Sequence, residues 1–593
     1  MHRVQSIPRR ISAVFFSFVI AGSLIQAQTP GTPSSPSVPT FHASSHLVQV
    51  DVVVLDGNGH PVPSLKAGDF SLLEDGKLQR VSSFDAHQQH AVEAAQPFHL
   101  PAHQYTNVPE QESAGSMAVV LFDTLNTPVL DQVMARRHML EFLKSLPAGQ
   151  STALFVLGTR LRMVQSFTGK SEVLVAAATK LLSQTSPLLT TEADRQKQED
   201  DLTYRDRMFA PAAIGGTSGS SGASNIQNAA VLDALAQATQ KLRDAFTEQE
   251  RTATTQRVRV TLESMAELAS MLRGYPGRKN LLWLSGAFPF SFGPNPLMRT
   301  EDRDTGRFDL AVHQTTTLLS AAQVAVYPID VSGVRMNGVD LSSTGEGASG
   351  VDSGNGVSRL NTVFARQLQE ETDAHATMDE IAEQTGGKAY YGTNDLKAAM
   401  QHSLDQDAAY YTLAYAPRNQ DWNGKFRRIE VRLAGARYHL QYRRGYYALP
   451  EPEHSPDDST RKLAGALRPD MPDSTALYIK AQVLPPDPAH AAVRITYLIN
   501  PQQVTFTDLP DGRKHAFVDL LAVVWDNHGR DVGHAADTID ATLDAKQYQQ
   551  VLRGGLQASQ EVHTQPGAYR VRLGAVDRAS QQVGTIDVVL AGH

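Results

Sequence analysis

Met117-Ala-Val-Val-Leu-Phe-Asp-Thr-Leu-Asn-Thr127 is an apolar run that breaks off at a carboxylate and a cluster of small polar residues. A strand buried on both faces of a parallel sheet reads this way, and the polar tip marks where the chain leaves the sheet. Pro128 suits the first turn of a helix, and Val129 to Leu146 carries Val133, Leu140, Phe142, Leu143 and Leu146 at helical spacing. Strand, loop and helix form half of a βαβ unit. Ligands of such sheets sit at the carboxyl ends of the strands, which makes Asp123 the first candidate for a functional residue.

Outward from this stretch, apolar strands alternate with amphipathic helices from Gly115 to about Ala416, the pattern of a doubly wound, Rossmann-type α/β domain. Thr152 to Leu157 and Leu161 to Phe167 read as neighbouring strands, Glu172 to Leu182 as a helix, and Asn280 to Leu284 and Val324 to Ile329 as further strands, the last closed by Asp330. A helix near Met378 to Gln384 stops at Gly386-Gly387, where glycine permits a left-handed cap.

Asp123-Thr124-Leu125-Asn126-Thr127 after a hydrophobic strand resembles the first metal-site loop of von Willebrand factor type A domains, where the usual pattern is Asp-x-Ser-x-Ser. The resemblance implies a divalent cation, Mg²⁺ or Ca²⁺, held near Asp123, Asn126 and Thr127. Leu125 replaces the first hydroxyl, and a hard cation needs oxygen. Lys279-Asn-Leu-Leu-Trp-Leu284 leads into Ser285-Gly286, where ordinary members place a second acid. The implied cation site is therefore weak or lost.

Other segments are similar to one branch, the VWFA-related domain family described from Acidobacteria. They are Val54-Leu-Asp-Gly-Asn-Gly-His-Pro-Val62, Asp69-Phe-Ser-Leu-Leu-Glu-Asp-Gly76, Asp123 to Pro128, Pro276 to Gly286, Thr385-Gly-Gly387 with Asn394-Asp-Leu396, and Arg444-Gly-Tyr-Tyr447, in family order. The resemblance implies an exported protein with an interaction domain. A partner-binding face is expected at Asp123, Thr127, Ser285 and Asp330.

At 593 residues the chain exceeds what one core organises. Residues 1–27 read as a signal peptide, with Arg3, Arg9 and Arg10 ahead of the apolar Ile11 to Ile25, and 28–44 as a flexible spacer. A small β module is expected over 45–86, a linker over 87–114, and the α/β domain over 115–416 with insertions at 184–256 and 332–359. A β meander over 417–449, a linker over 450–472 and a C-terminal β-sandwich over 473–593 complete the order, the flanking modules being read as immunoglobulin-like. The meander packs on the α/β domain or pairs with the N-terminal module.

The net charge of −8 and a pI near 6.2 argue against nucleic acid as a partner. The chain has no cysteine, which excludes disulfides, thiol nucleophiles and thiolate metal sites. His87, His90, His99 and His103 lie in an extended linker-like segment with no carboxylate pattern to orient the rings. No Gly-x-Ser-x-Gly elbow, His-Glu-x-x-His helix or phosphate loop is present, and no enzyme is expected. No segment after the signal is long and apolar enough to span a membrane. The expectation is a periplasmic or secreted protein that binds a protein partner in adhesion or complex assembly. The alternative is a structural or assembly component of the envelope, using metal-independent contacts of its β modules.

Overall fold

The computed structural model describes residues 47–88, 100–108, 117–190, most of 194–204, 223–288, 306–333, 353–405, 409–434, 438–450, 455–469, 471–487, 490–564 and 569–590. The expected signal peptide and spacer, His90, His99 and Gly215 to Gly222 lie outside them, as does most of the expected second insertion.

A mixed five-stranded sheet stands at the centre. Its strands are β1 (Met117–Asp123), β2 (Thr152–Leu157), β3 (Leu161–Thr168), β4 (Lys279–Ser285) and β5 (Val324–Asp330), in the order β5-β4-β1-β2-β3. All neighbours run parallel except β3, which turns back against β2. Every residue of β1, β2 and β4 is buried, as expected for strands covered on both faces. On one face lie α1 (Val129–Lys144), α2 (Ser171–Thr179) and α6 (Leu396–Asp405), around Val120, Phe122, Leu154 and Leu284. On the other lie α3 (Ala223–Leu272), α4 (Gly306–Ala321) and α5 (Ser353–Thr385), around Val119, Leu121, Phe155 and Trp283.

Two helices differ from the sequence reading. The first insertion, expected to end at 256, runs on as α3 to Leu272, with Val258, Leu262, Met265, Ala269 and Leu272 at helical spacing in the core. In α1 the buried stripe is Gln132, Ala135, Met139, Phe142 and Leu143, so Val133, expected inside, is 47% exposed. α5 ends at the expected glycines. Gly386 takes a left-handed φ of +79°, and a side chain on Gly387 would stand 1.9 Å from the carbonyl oxygen of Val326 on β5.

The N-terminal module and the meander form one sandwich. Val48–Leu55 lies between Ala409–Tyr415 and His439–Gln441, with Val81–Gln88 outside Ala409–Tyr415. The facing sheet orders Gly445–Tyr447, Phe426–Leu433, Phe70–Glu74 and Lys77–Leu78. Val50, Val52, Leu72, Leu413, Ile429 and Val431 fill the space between. Ala409–Tyr415, counted from sequence with the α/β domain, is thus a central strand of this sandwich, because its pairing partners come from the far end of the sequence.

The C-terminal domain is also two antiparallel sheets on one core. Ile479–Leu484, Ala492–Ile499 and Leu556–His563 make one; Lys514–Trp525, Tyr569–Asp577 and Val583–Leu590 make the body of the other, with Asp531–Leu543 paired to Lys514–Trp525. Its first sheet is completed by Gln104–Thr106, from within the expected linker. The buried Asn107 next to it donates from Nδ2 to Ser474 O at 2.7 Å and Leu477 O at 2.8 Å, and accepts from Ile479 N at 2.8 Å. Asn107→Ala removes three bonds from a buried seam, and a loss of about 3 kcal/mol in urea unfolding is expected.

At the opposite end from the β1 tip, Arg278 and Lys279 are buried where β4 begins. Arg278 N donates to Tyr410 Oη at 2.9 Å and its guanidinium to Gly386 O at 2.6 Å, joining sheet, α5 terminus and sandwich. Lys279 Nζ donates to Ala322 O at 2.8 Å, and burial pushes its ammonium down to about 7 against the opposing pull of Asp51. Between that value and the ordinary 10.5 the unfolded chain binds the extra proton, so stability rises with pH across this window. Thermal unfolding of wild type is expected to show this rise, and Lys279→Met to flatten it.

Candidate functional site

Parallel register sets three of the candidate residues in a row. Phe122 pairs with Leu284 and Asp330 with Ser285, which aligns Asp123, Ser285 and Asp330 across the carboxyl edge of β1, β4 and β5. Strand order reverses at β1, between β2 on one side and β4 on the other, and crevices open at such switch points.

This crevice is filled by the protein itself. Asp123 is fully buried, and its Oδ1 accepts the backbone N–H of Asn126 at 2.9 Å. Its Oδ2 accepts Asn126 Nδ2 at 2.9 Å, Trp283 Nε1 at 3.1 Å and Ser285 Oγ at 2.8 Å. Trp283 and Ser285 reach the same carboxylate because residues two apart on a strand share a face. Burial pushes the Asp123 carboxyl up, while the bonds from Asn126, Ser285 and Trp283 pull the other way.

The loop beyond is fastened with equal care. Asn126 Nδ2 also donates to Thr261 Oγ1 of α3 at 3.0 Å. Thr127 Oγ1 accepts Gly286 N at 2.9 Å, joining the loops after β1 and β4. Gln132 of α1 donates to Thr127 O at 2.7 Å and Gln184 O at 2.9 Å, and accepts Gln184 N at 3.0 Å. One helical turn before Thr261, the buried Arg257 has its charge disfavoured by burial and favoured by Asp123. Thr124 donates to Leu157 O at 3.0 Å, while Leu125 points into the core.

These residues do not fit a hard divalent cation. Such an ion needs six or more oxygens, and Asp123 is the one carboxylate in the loop, already facing hydrogens from four donors. The Thr127 hydroxyl faces an N–H, and the nearest formal charge from α3 is a guanidinium. Among the described residues no group of three His, Asp or Glu side chains could hold a metal.

On the expected partner-binding face, Asp123, Thr127 and Ser285 are shut off from solvent, and Asp330 alone keeps some exposure. Asp330 accepts Ser332 N at 2.8 Å and lies 3.7 Å from His375 Nε2, whose ring stacks on Tyr391. His87 stacks on Tyr410 within the N-terminal sandwich. Arg443 and Arg444 bond Gln49 O and Glu383. Trp283, Thr261, Arg257 and Gln132 were not read from sequence as parts of this site. The two-residue spacing of Trp283 and Ser285 was the available signal for the first.

Among the described residues, an apolar turn is exposed beside this edge. The first turns of α1, directly after the buried loop, carry Leu130 at 82% exposure, with Val129, Val133 and Met134 beside it.

No protein-family model matches the chain, and no curated protein does. Among solved structures it is similar to an aerotolerance-related membrane protein from Bacteroides fragilis NCTC 9343 with multiple mutations to serines. That likeness has 10% identity and a TM-score of 0.21, covering 50% of this chain and 98% of the other. It is also similar to proximal thread matrix protein 1 from the mussel byssus, with 9% identity and a TM-score of 0.20 over 50% of this chain and 48% of the other. Neither likeness carries an argument about function. Among the described residues no helix is long and apolar enough to cross a membrane.

Asp123→Ala leaves Asn126 N, Asn126 Nδ2 and Trp283 Nε1 buried without their acceptor. At about 1 to 3 kcal/mol for each orphaned donor, the variant is expected to lose at least about 3 kcal/mol in urea unfolding. A loss below about 1 kcal/mol would contradict a structural role for the carboxylate.

Proposed function

We propose that the protein is an extracytoplasmic protein-binding component, adhesive or complex-assembling, whose central layer is von Willebrand factor A-like and works without a divalent cation and without turnover. The observation that carries this reading is the apolar start of α1. Isolated exposed apolar side chains are ordinary, but Val129, Leu130, Val133 and Met134 stand within six residues on a helix that has already buried its own stripe. Arg137 and Glu141 pair at 3.6 Å one and two turns further on, giving the polar margin that interfaces place around an apolar centre. The buried loop then serves as the rigid base from which this helix starts. Its strand position supports the likeness to von Willebrand factor A domains, and its chemistry favours recognition through side chains over recognition through a shared cation.

A photo-cross-linking residue at position 130, introduced in the full chain in the producing cell, is expected to trap a discrete protein partner. The same residue at the exposed Lys546 of the C-terminal domain is expected to trap none, and EDTA is expected to leave the adduct in place. Equal or absent labelling at the two positions would overturn the assignment of this surface.

The structural or assembly reading rests on a different place. Val583–Leu590 ends its sheet; Val583 and Thr585 bond Leu477 and Ser474 along the outer edge, and beyond them Val589 is 76% exposed, which leaves the far half of the strand for pairing with another chain. Under that reading Val589→Lys, and not Leu130→Asp, abolishes assembly.

A further inference from the structure

A cleft of about 330 Å³ lies where the α/β layer meets the C-terminal sandwich. Its volume falls in the lower part of the range used by small-ligand sites, and junctions between domains are where such sites recur. From the α/β side Met163 and Phe167 of β3 and Met271 and Tyr275 at the end of α3 enter the lining, with Phe167 and Tyr275 rings 4.8 Å apart and tilted at 50°. From the sandwich side come Asp473, Arg570 and Asp587.

The charges are unevenly matched. Arg570 grips Asp587 through two bonds of 2.8 Å from its Nε. Arg572, fully buried, donates to Met471 O, Ala466 O and Pro472 O, and approaches Asp473 Oδ1 only to 3.5 Å, without a hydrogen bond. Asp473 Oδ1 is itself closed off, yet a third of the side chain is open. That open part is the other carboxylate edge, on a residue that lines the cleft.

We propose that this cleft binds a small apolar amine, with the ammonium on Asp473 and the hydrocarbon body among Met163, Phe167, Met271 and Tyr275. Three features support one another. A carboxylate edge inside an apolar cleft gains most from a cation that brings its own hydrogen-bond donors. The faces of Phe167 and Tyr275 offer the attraction that aromatic rings hold for ammonium groups. Methionines adapt their shape to a flexible hydrocarbon.

Burial pushes the Asp473 carboxyl up to about 6 and the Asp587 charge adds to the rise, while Arg572, the backbone N–H of Asp587 and Arg570 pull it down. Tyr275, pushed up to about 12, stays neutral beside it. The carboxylate therefore loses its charge as pH falls through about 6, and amine binding weakens with it.

Calorimetry of the full chain with 2-phenylethylamine, and with phenylacetate as the anionic match, tests the proposal. Saturable amine binding is expected near neutral pH, weaker by about tenfold at about pH 5, with no phenylacetate binding. Asp473→Asn is expected to weaken the amine at least about tenfold, the scale of one charge-assisted hydrogen bond. Met163→Trp, which fills the cleft without touching its charges, is expected to abolish binding and decides the matter if Asp473→Asn fails to fold. Absent amine binding in wild type, undiminished binding in either folded variant, or phenylacetate bound as tightly as the amine would overturn it.

Discussion

Asp123 is a carboxyl group buried at the switch point of a parallel sheet, and the fold around it depends on keeping its oxygens hydrogen-bonded. An ionised carboxylate away from water is costly unless donors surround it. Here the donors come from two places, the loop that follows β1 and the end of β4, and Asn126 in turn donates to Thr261 of α3. Supplying them fixes the register of β1 on β4, the path of residues 124–127 and the point where α1 begins. A cation site would need the same carboxylate open. The protein has taken the other solution, in which Trp283, Ser285 and Asn126 provide the hydrogens that face the charge.

The rest of the architecture extends this rigidity outward. Thr127 ties the loop to Gly286, and Gln132 ties the first turn of α1 to the segment after α2, so the exposed apolar turn of α1 is held from beneath. At the far end of the sheet, Arg278 bonds Tyr410 of the first sandwich and the α5 terminus. Gln104–Thr106 and Asn107 stitch the chain ahead of β1 into the second sandwich. Both sandwiches thus take strands from opposite sides of the α/β segment in sequence, which couples the three layers. Among the described residues, the surfaces proposed for recognition are the start of α1, the edge strand with Val589 and the cleft at Asp473.

Much of this was legible in the sequence. The central strands announce themselves as unbroken apolar runs, and the glycines at 386 and 387 mark the end of α5. Harder to see were effects of pairing across long separations. Ala409–Tyr415 looks like any buried strand, and nothing local states that its partners begin at residue 48. The 258–272 helix carries a clear apolar stripe that the preceding polar stretch disguised. Two of the four donors on Asp123 lie 160 and 162 residues away from it, so half of the contacts that close the site belong to the fold and not to the motif.

The most direct test of a closed, cation-free loop is calorimetric titration of Mg²⁺, Mn²⁺ and Ca²⁺ into the purified protein, with unfolding followed in parallel. No saturable heat and no shift of the unfolding midpoint are expected for any of the three ions. Stoichiometric binding of one of them, lost on replacing Asn126 or Thr127 in a chain that still folds, would contradict it and return the loop to the metal-dependent class.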